Sequence, residues 1–248
     1  MRLSVVGCGD AFGSGGRLQT GYHLDTGDQQ ILIDCGATSI IGLNRLGLDT
    51  TRIGTIVISH LHGDHFGGLV WWLLHSQHIA KRTVPLVVAG PPTIEARFKA
   101  AAEALFPGST KVPCRFALSF VEMHAEGPPT ELAGARIMAY EGKHPSGAPS
   151  HALRIETGGK VVAFTGDTEW VEPLVACGRD ADLYIMECFA FDGAIRYHLT
   201  WETISANMAR IGARQVMLTH MNARMLASRD KVSAAGVVLA EDGLVLDI

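Results

Sequence analysis

The chain has 248 residues, a length that suits one large α/β domain and buries a substantial core. Hydrophobic residues make up 47% and charged residues 19%, which excludes intrinsic disorder for the bulk of the chain. Lys+Arg 21 against Asp+Glu 25 gives a net charge of -4 with no basic run, which argues against a general nucleic-acid coat protein.

Met1 to Gly9 lacks the long apolar centre and cleavage site of a signal peptide and reads as a first strand, Leu3 to Val6. Gly7-Cys8-Gly9-Asp10-Ala11-Phe12-Gly13 has the glycines of a dinucleotide loop. Ser14-Gly15-Gly16 follows where a helix should begin, which excludes a Rossmann site and leaves Asp10 to line a cleft or cap a turn. A hairpin-like stretch covers Tyr22 to Asp34, with a strand over Ile31 to Asp34 and further strands over Thr55 to Ser59 and Leu86 to Ala89. Apolar residues returning every three or four positions predict helices over Ser39 to Leu46, Gly68 to Ala80, Thr93 to Leu105 and Trp201 to Ile211. In the second of these, Trp71 and Trp72 read as core or as a dimer face, and His75 and His78 as an ordinary helix face. The longest apolar stretch, Leu69 to Leu74, is far short of the about 20 residues of a membrane span. Gly127 to Pro129 is a surface turn, and strands return between Arg136 and Thr165, then over Val161 to Thr165, Leu183 to Met186 and Val216 to Thr219. Two sheets flanked by helices, in one domain spanning 1–248, fit this order better than one doubly wound sheet. Five cysteines, Cys8, Cys35, Cys114, Cys177 and Cys188, form no CxxC pair; they read as small buried hydrophobes in a reduced, cytoplasmic setting. His23, His124 and His151 read as structural.

Ser59-His60-Leu61-His62-Gly63-Asp64-His65 packs three imidazoles and a carboxylate just after a strand and before an apolar helix. A turn there aims all four side chains at one point, and imidazole with carboxylate is a donor set for zinc and similar divalent ions. Extended through Phe66-Gly67-Gly68-Leu69, the segment resembles the signature of the metallo-β-lactamase superfamily, in its ribonuclease Z-like branch. The same family pattern is met by His144 in Glu141-Gly142-Lys143-His144-Pro145, Asp167 in Phe164-Thr165-Gly166-Asp167-Thr168, His220 in Leu218-Thr219-His220-Met221, and an early structural Asp motif, Leu32-Ile33-Asp34-Cys35-Gly36.

The resemblance implies a four-layer αββα sandwich, a homodimer and two divalent metal ions. His60, His62 and His144 would hold the first ion, Asp64, His65 and His220 the second, and Asp167 would bridge them. Seven N/O ligands without a thiolate favour zinc, with Mn, Fe or Co as alternatives. Two such ions can lower the pKa of a shared water, which as bridging hydroxide attacks the substrate; Asp64 counts in the catalytic set as well as among the ligands. Asp182-Leu183-Tyr184-Ile185-Met186-Glu187-Cys188-Phe189 with Tyr197-His198-Leu199-Thr200 resembles the His-Glu-Ala-Thr and His-Ser-Thr pair of ribonuclease Z, with departures at Met186 and Cys188. By that resemblance His198 protonates the departing oxygen and Glu187 orients it, a combination suited to a phosphodiester with a poor leaving group. The segment 145–166 leaves no room for the protruding arm that grips tRNA, and His144-Pro145-Ser146-Gly147-Ala148-Pro149-Ser150 lacks the basic substrate element. The expected substrate is therefore a small phosphodiester or short RNA rather than full tRNA. A thioester, lactone or sulfate-ester hydrolase on the same metals and a non-catalytic metal-bearing scaffold or sensor are the alternative readings.

Overall fold

The computed structural model describes residues 1–248. The first sheet holds β1 (Arg2–Gly7), β2 (Gly21–Asp25), β3 (Gln30–Ile33), β4 (Ile53–Val57), β5 (Leu86–Gly90) and β6 (Leu118–Glu122). The second holds β7 (Thr130–Leu132), β8 (Ala135–Glu141), β9 (His151–Thr157), β10 (Lys160–Phe164), β11 (Leu183–Glu187), β12 (Val216–Thr219) and β13 (Val237–Leu239). A last strand, β14 (Val245–Asp247), returns to the first sheet beside β1. Strand order is β14-β1-β2-β3-β4-β5-β6 in one and β13-β12-β11-β10-β9-β8-β7 in the other. Each is mixed: β3 to β6 run parallel, as do β10 to β13, and the remaining pairs are antiparallel.

The period-2 alternation of strand side chains assigns the layers. Ile31 and Ile33 of β3 and Leu183 and Ile185 of β11 point between the sheets, into a core shared with Leu153, Phe164 and Met217. Leu32 and Ile56 point outward onto α1 (Ser39–Arg45), α3 (Gly68–His78) and α4 (Ile94–Leu105), where they meet Leu43, Trp72 and Phe98. On the opposite outer face Tyr184, Met186 and Leu218 meet Leu174 of α5 (Pro173–Gly178), Ile204 of α6 (Trp201–Ile211) and Met225 of α7 (Ala223–Ala227). Central parallel strands buried on both faces explain the unbroken apolar runs in the sequence. This is the expected four-layer αββα sandwich.

The predicted α6 is found with its expected bounds, capped by the Thr200 side chain accepting from the Thr203 N–H and ended by Gly212 at φ 69°. The four-residue helical turn α2 (Gly63–Phe66) departs from the expectation of a plain turn; it carries Asp64 and His65, while His60 and His62 precede it. Trp72 is buried and Trp71 partly exposed. Cys114 is exposed, which corrects the reading of all five cysteines as buried, and none is paired. No helix is long and apolar enough to cross a membrane.

Candidate metal centre

The site lies at the carboxyl ends of the parallel strands of both sheets, where loops after β4, β10, β11 and β12 converge. His60 and His62 follow β4, His144 follows β8, Asp167 follows β10, His198 precedes α6, and His220 follows β12. His60, His62 and His144 form one group and Asp64, His65, Asp167 and His220 a second, with the candidate ligand atoms of each within 4.8 Å of one another. Asp167 stands between the groups. Its Oδ2 lies 3.3 Å from His220 Nε2, 3.8 Å from His60 Nε2 and 3.9 Å from His144 Nε2, and its Oδ1 lies 3.3 Å from His65 Nε2. Asp64 Oδ2 lies 3.3 Å from His65 Nε2 and 3.6 Å from His220 Nε2.

Outer partners fix the rings. Asp34, the residue of the early Asp motif, accepts from the Ser59 N–H and Oγ–H, both at 2.7 Å, and from His65 Nδ1 at 2.6 Å. His60 Nδ1 donates to Ser59 Oγ at 3.1 Å, which leaves its Nε2 as a bare lone pair. His144 Nδ1 donates to the Tyr197 carbonyl at 2.8 Å, a partner with no mark in the sequence, and its Nε2 faces His62 Nδ1 at 2.9 Å. Glycines let the backbone close up behind the site. A Cβ on Gly36 would collide with the Asp64 carbonyl, and one on Gly68 with the Gly36 carbonyl.

The electrostatics suit cations. Burial, with help from neighbouring imidazoles, holds His60 well below the ordinary histidine range. Burial also lowers His144 and His220, against the pull of Asp167, so all three rings favour the neutral form that can ligate. Asp167 is kept ionised by the surrounding histidines, His220 and His65 foremost, although burial alone would raise it. Burial opposes charge on His65, but the carboxylates Asp167 and Asp64 outweigh it and raise its proton affinity above the ordinary histidine range, a field that equally draws a cation to Nε2. His60 Nε2, His65 Nε2 and Asp167 Oδ1 are buried without a hydrogen-bond partner. Orphaned donor atoms that converge between carboxylates and neutral imidazoles fit divalent ions.

Glu187 is fully buried at the end of β11; its Oε1 accepts the Thr168 N–H at 2.7 Å, and its Oε2 accepts from His198 Nδ1 at 3.0 Å. Burial and the charge of Asp167 push Glu187 up to about 7. Burial lowers His198, but Glu187 overrides it and takes the ring up to about 9, so the proton of the pair resides on the imidazole. Asp10 is away from this chemistry: it accepts from the Ser14 N–H at 2.8 Å and Oγ–H at 2.7 Å, as a turn cap. His75 and His78 lie on α3 and join none of these groups.

A family model described as "Anti-Pycsar protein Apyc1" matches residues 1–242. The chain belongs to this family. The Apyc1-family chain is 24% identical over 230 residues to "Probable metallo-hydrolase YhfI" of Bacillus subtilis (strain 168), covering 89% of this chain and 87% of the relative. The crystal structure of YhfI, a metallo-β-lactamase fold protein, superposes with a TM-score of 0.79 at 22% identity, over 99% of this chain and 98% of that one. Human tRNase Z, short form, superposes with a TM-score of 0.78 at 22% identity, over 100% and 99%. The chain is thus a metal-dependent hydrolase of the metallo-β-lactamase superfamily, in its ribonuclease Z-like branch, as its motifs implied.

Proposed function

We propose that this protein hydrolyses a small phosphodiester at a dinuclear centre, with His198 as general acid. The single observation that carries the reading is the pair of buried Glu187 and partly exposed His198, at 3.0 Å, beside the Asp167 cluster. Relatives named ribonuclease Z and zinc phosphodiesterase support the substrate class.

His60, His62 and His144 would hold the first ion, Asp64, His65 and His220 the second, and Asp167 both; zinc suits this nitrogen and oxygen set best. When bound, such a pair supplies Lewis acidity to a water and to the phosphoryl oxygens. The chain's own residues do the rest. Asp64 orients the attacking water and accepts its proton. His198 Nδ1–H is spent on Glu187, so Nε2–H is left to protonate the departing alkoxide. Glu187 links that acid to the metal side of the site through its second oxygen on the Thr168 N–H, next to Asp167. His144 is tied to the same loop through the Tyr197 carbonyl, so the acid and a ligand share one anchor.

Substrate size is read from the segment 145–166, where a short loop leads into β9, a two-residue turn and β10 of the second sheet. No extended arm is left there to grip a folded RNA, which favours a cyclic nucleotide, a short RNA or another small diester. Bis(p-nitrophenyl) phosphate, a lactone, an S-acyl glutathione and an aryl sulfate, each offered to the zinc-loaded protein, separate the substrate classes. The diester should be turned over fastest. Preferential turnover of the thioester, lactone or sulfate would overturn the phosphodiesterase reading, and no turnover of any of the four in fully loaded protein would favour a binding role.

A further inference from the structure

We propose that Phe189 is a positioning residue for His198: its ring fixes the plane of the imidazole, and with it the direction in which Nε2 presents a proton to the leaving oxygen. The proposal rests on the reading of His198 as general acid. The two rings are stacked, 4.4 Å between centroids with 19° between planes. Backbone hydrogen bonds clamp Phe189 on both sides. Its N–H donates to the Leu199 carbonyl at 3.0 Å, directly after His198, and its own carbonyl accepts from the Asn222 N–H at 3.0 Å, two residues after His220. The Phe189 ring lies 6.2 Å from that of His220, which itself stacks on His198 at 5.8 Å and 27°.

One hydrogen bond does not orient a ring. The Nδ1–H bond to Glu187 pins a single atom of His198 and leaves rotation about the bond direction open. Stacking on Phe189 closes that freedom, because turning the imidazole out of its plane drives its edge into the phenyl face. His144 stands edge-on to another side of the ring, at 4.9 Å and 68°. Of these four neighbours, Glu187 also holds Thr168, His144 also faces His62 and His220 is itself a candidate ligand, whereas the Phe189 side chain has no hydrogen-bonding or ligand atom. Its influence on proton transfer therefore passes through the orientation of His198, and a misaimed general acid loses rate on the step that needs the proton.

The test compares metal-loaded wild type, Phe189→Ala, Phe189→Leu, Phe189→Tyr and His198→Ala on an alkyl diester and on bis(p-nitrophenyl) phosphate. Metal content, melting temperature and the ring NMR signals of His198 are followed in parallel. Phe189→Ala and Phe189→Leu should lose about tenfold in kcat on the alkyl diester. They should lose clearly less on the nitrophenyl diester, keep their metal and show the His198 signals shifted out of the phenyl ring current. Phe189→Tyr, which keeps the flat face, should restore the alkyl rate. Should Phe189→Ala melt early, Phe189→Leu carries the comparison, since it retains most of the volume without the face. Equal losses on both substrates, or full alkyl activity in Phe189→Leu while His198→Ala shows its leaving-group-dependent loss, overturns the proposal. Unchanged rates in His198→Ala itself would bring down the general-acid reading first, and the Phe189 proposal with it.

Discussion

Asp167 is the residue on which the two halves of the site depend. Its carboxylate lies within 3.9 Å of ring nitrogens from His60, His65, His144 and His220, and these come from both groups of candidate ligands. His220, by contrast, reaches the carboxylates of Asp64 and Asp167 through Nε2 and belongs to the second group alone. Asp167→Ala should therefore strip metal from both sites, whereas His220→Ala should empty mainly the second, as measured by elemental analysis of carefully purified protein. Equal loss of one metal from both variants would contradict the bridging assignment. Three residues around the centre, Asp34 at φ 55°, Tyr197 at φ 68° and His220 at φ 57°, adopt the left-handed backbone that side chains other than glycine disfavour. Each is held there by the site's own bonds: Asp34 by Ser59 and His65, Tyr197 by His144, and His220 by the bond of its N–H to the Cys8 carbonyl at 3.0 Å.

At the scale of elements, the segment after β3 and the α2–α3 junction act as one piece. The Cys35 N–H donates to the His65 carbonyl at 2.6 Å and the Gly68 N–H to the Cys35 carbonyl at 2.8 Å, with no space between them for a side chain at Gly36. Gly36→Ala should destabilise the protein by about 1–3 kcal/mol through overpacking against rigid backbone. It should also weaken metal binding on the Asp64 side, read by thermal melts with and without zinc; an unchanged melting temperature would show that the junction has slack. The sequence made the metal cluster legible because six consecutive positions, 60–65, carry four candidate ligands on a strand-to-helix turn. His144, Asp167 and His220 were reachable only through family resemblance, since tertiary folding alone brings them to that turn. Buried strands such as β11 and the amphipathic α6 were legible from periodicity. The strands β6, β7, β13 and β14, the four edge strands and none with a fully buried residue, were missed because they bury too little to pattern the sequence. The Tyr197 carbonyl and the Phe189 stack left no signal either: every residue has a carbonyl, and an aromatic near a motif reads as core.

At the scale of the whole molecule, the two sheets are joined behind the site by β9, whose first residue, His151, donates its N–H to the Ser59 carbonyl at 3.0 Å. The His151 ring is buried with neither nitrogen hydrogen-bonded, and burial, with the charge of His124, pushes it down to about 4. The unfolded chain protonates this ring near pH 6.5, so the folded state is disfavoured only below that point. The contribution of His151 is full above about pH 6.5 and falls by about 3 kcal/mol as the pH drops to about 4. His151→Leu should make the fall of the melting temperature over that window less steep, the other buried histidines supplying the remainder, and an unchanged slope would place the acid sensitivity elsewhere. In the proposed mechanism, metal groups spanning both sheets meet a general acid supplied by the loop before α6. Steady-state rates of metal-loaded His198→Ala on an alkyl diester and on bis(p-nitrophenyl) phosphate, measured beside metal content, test it most directly. The expected result is a loss of about 10²–10⁴-fold on the alkyl diester, a much smaller loss on the nitrophenyl diester and full metal content. Unchanged rates on both substrates in the fully metallated variant would contradict it.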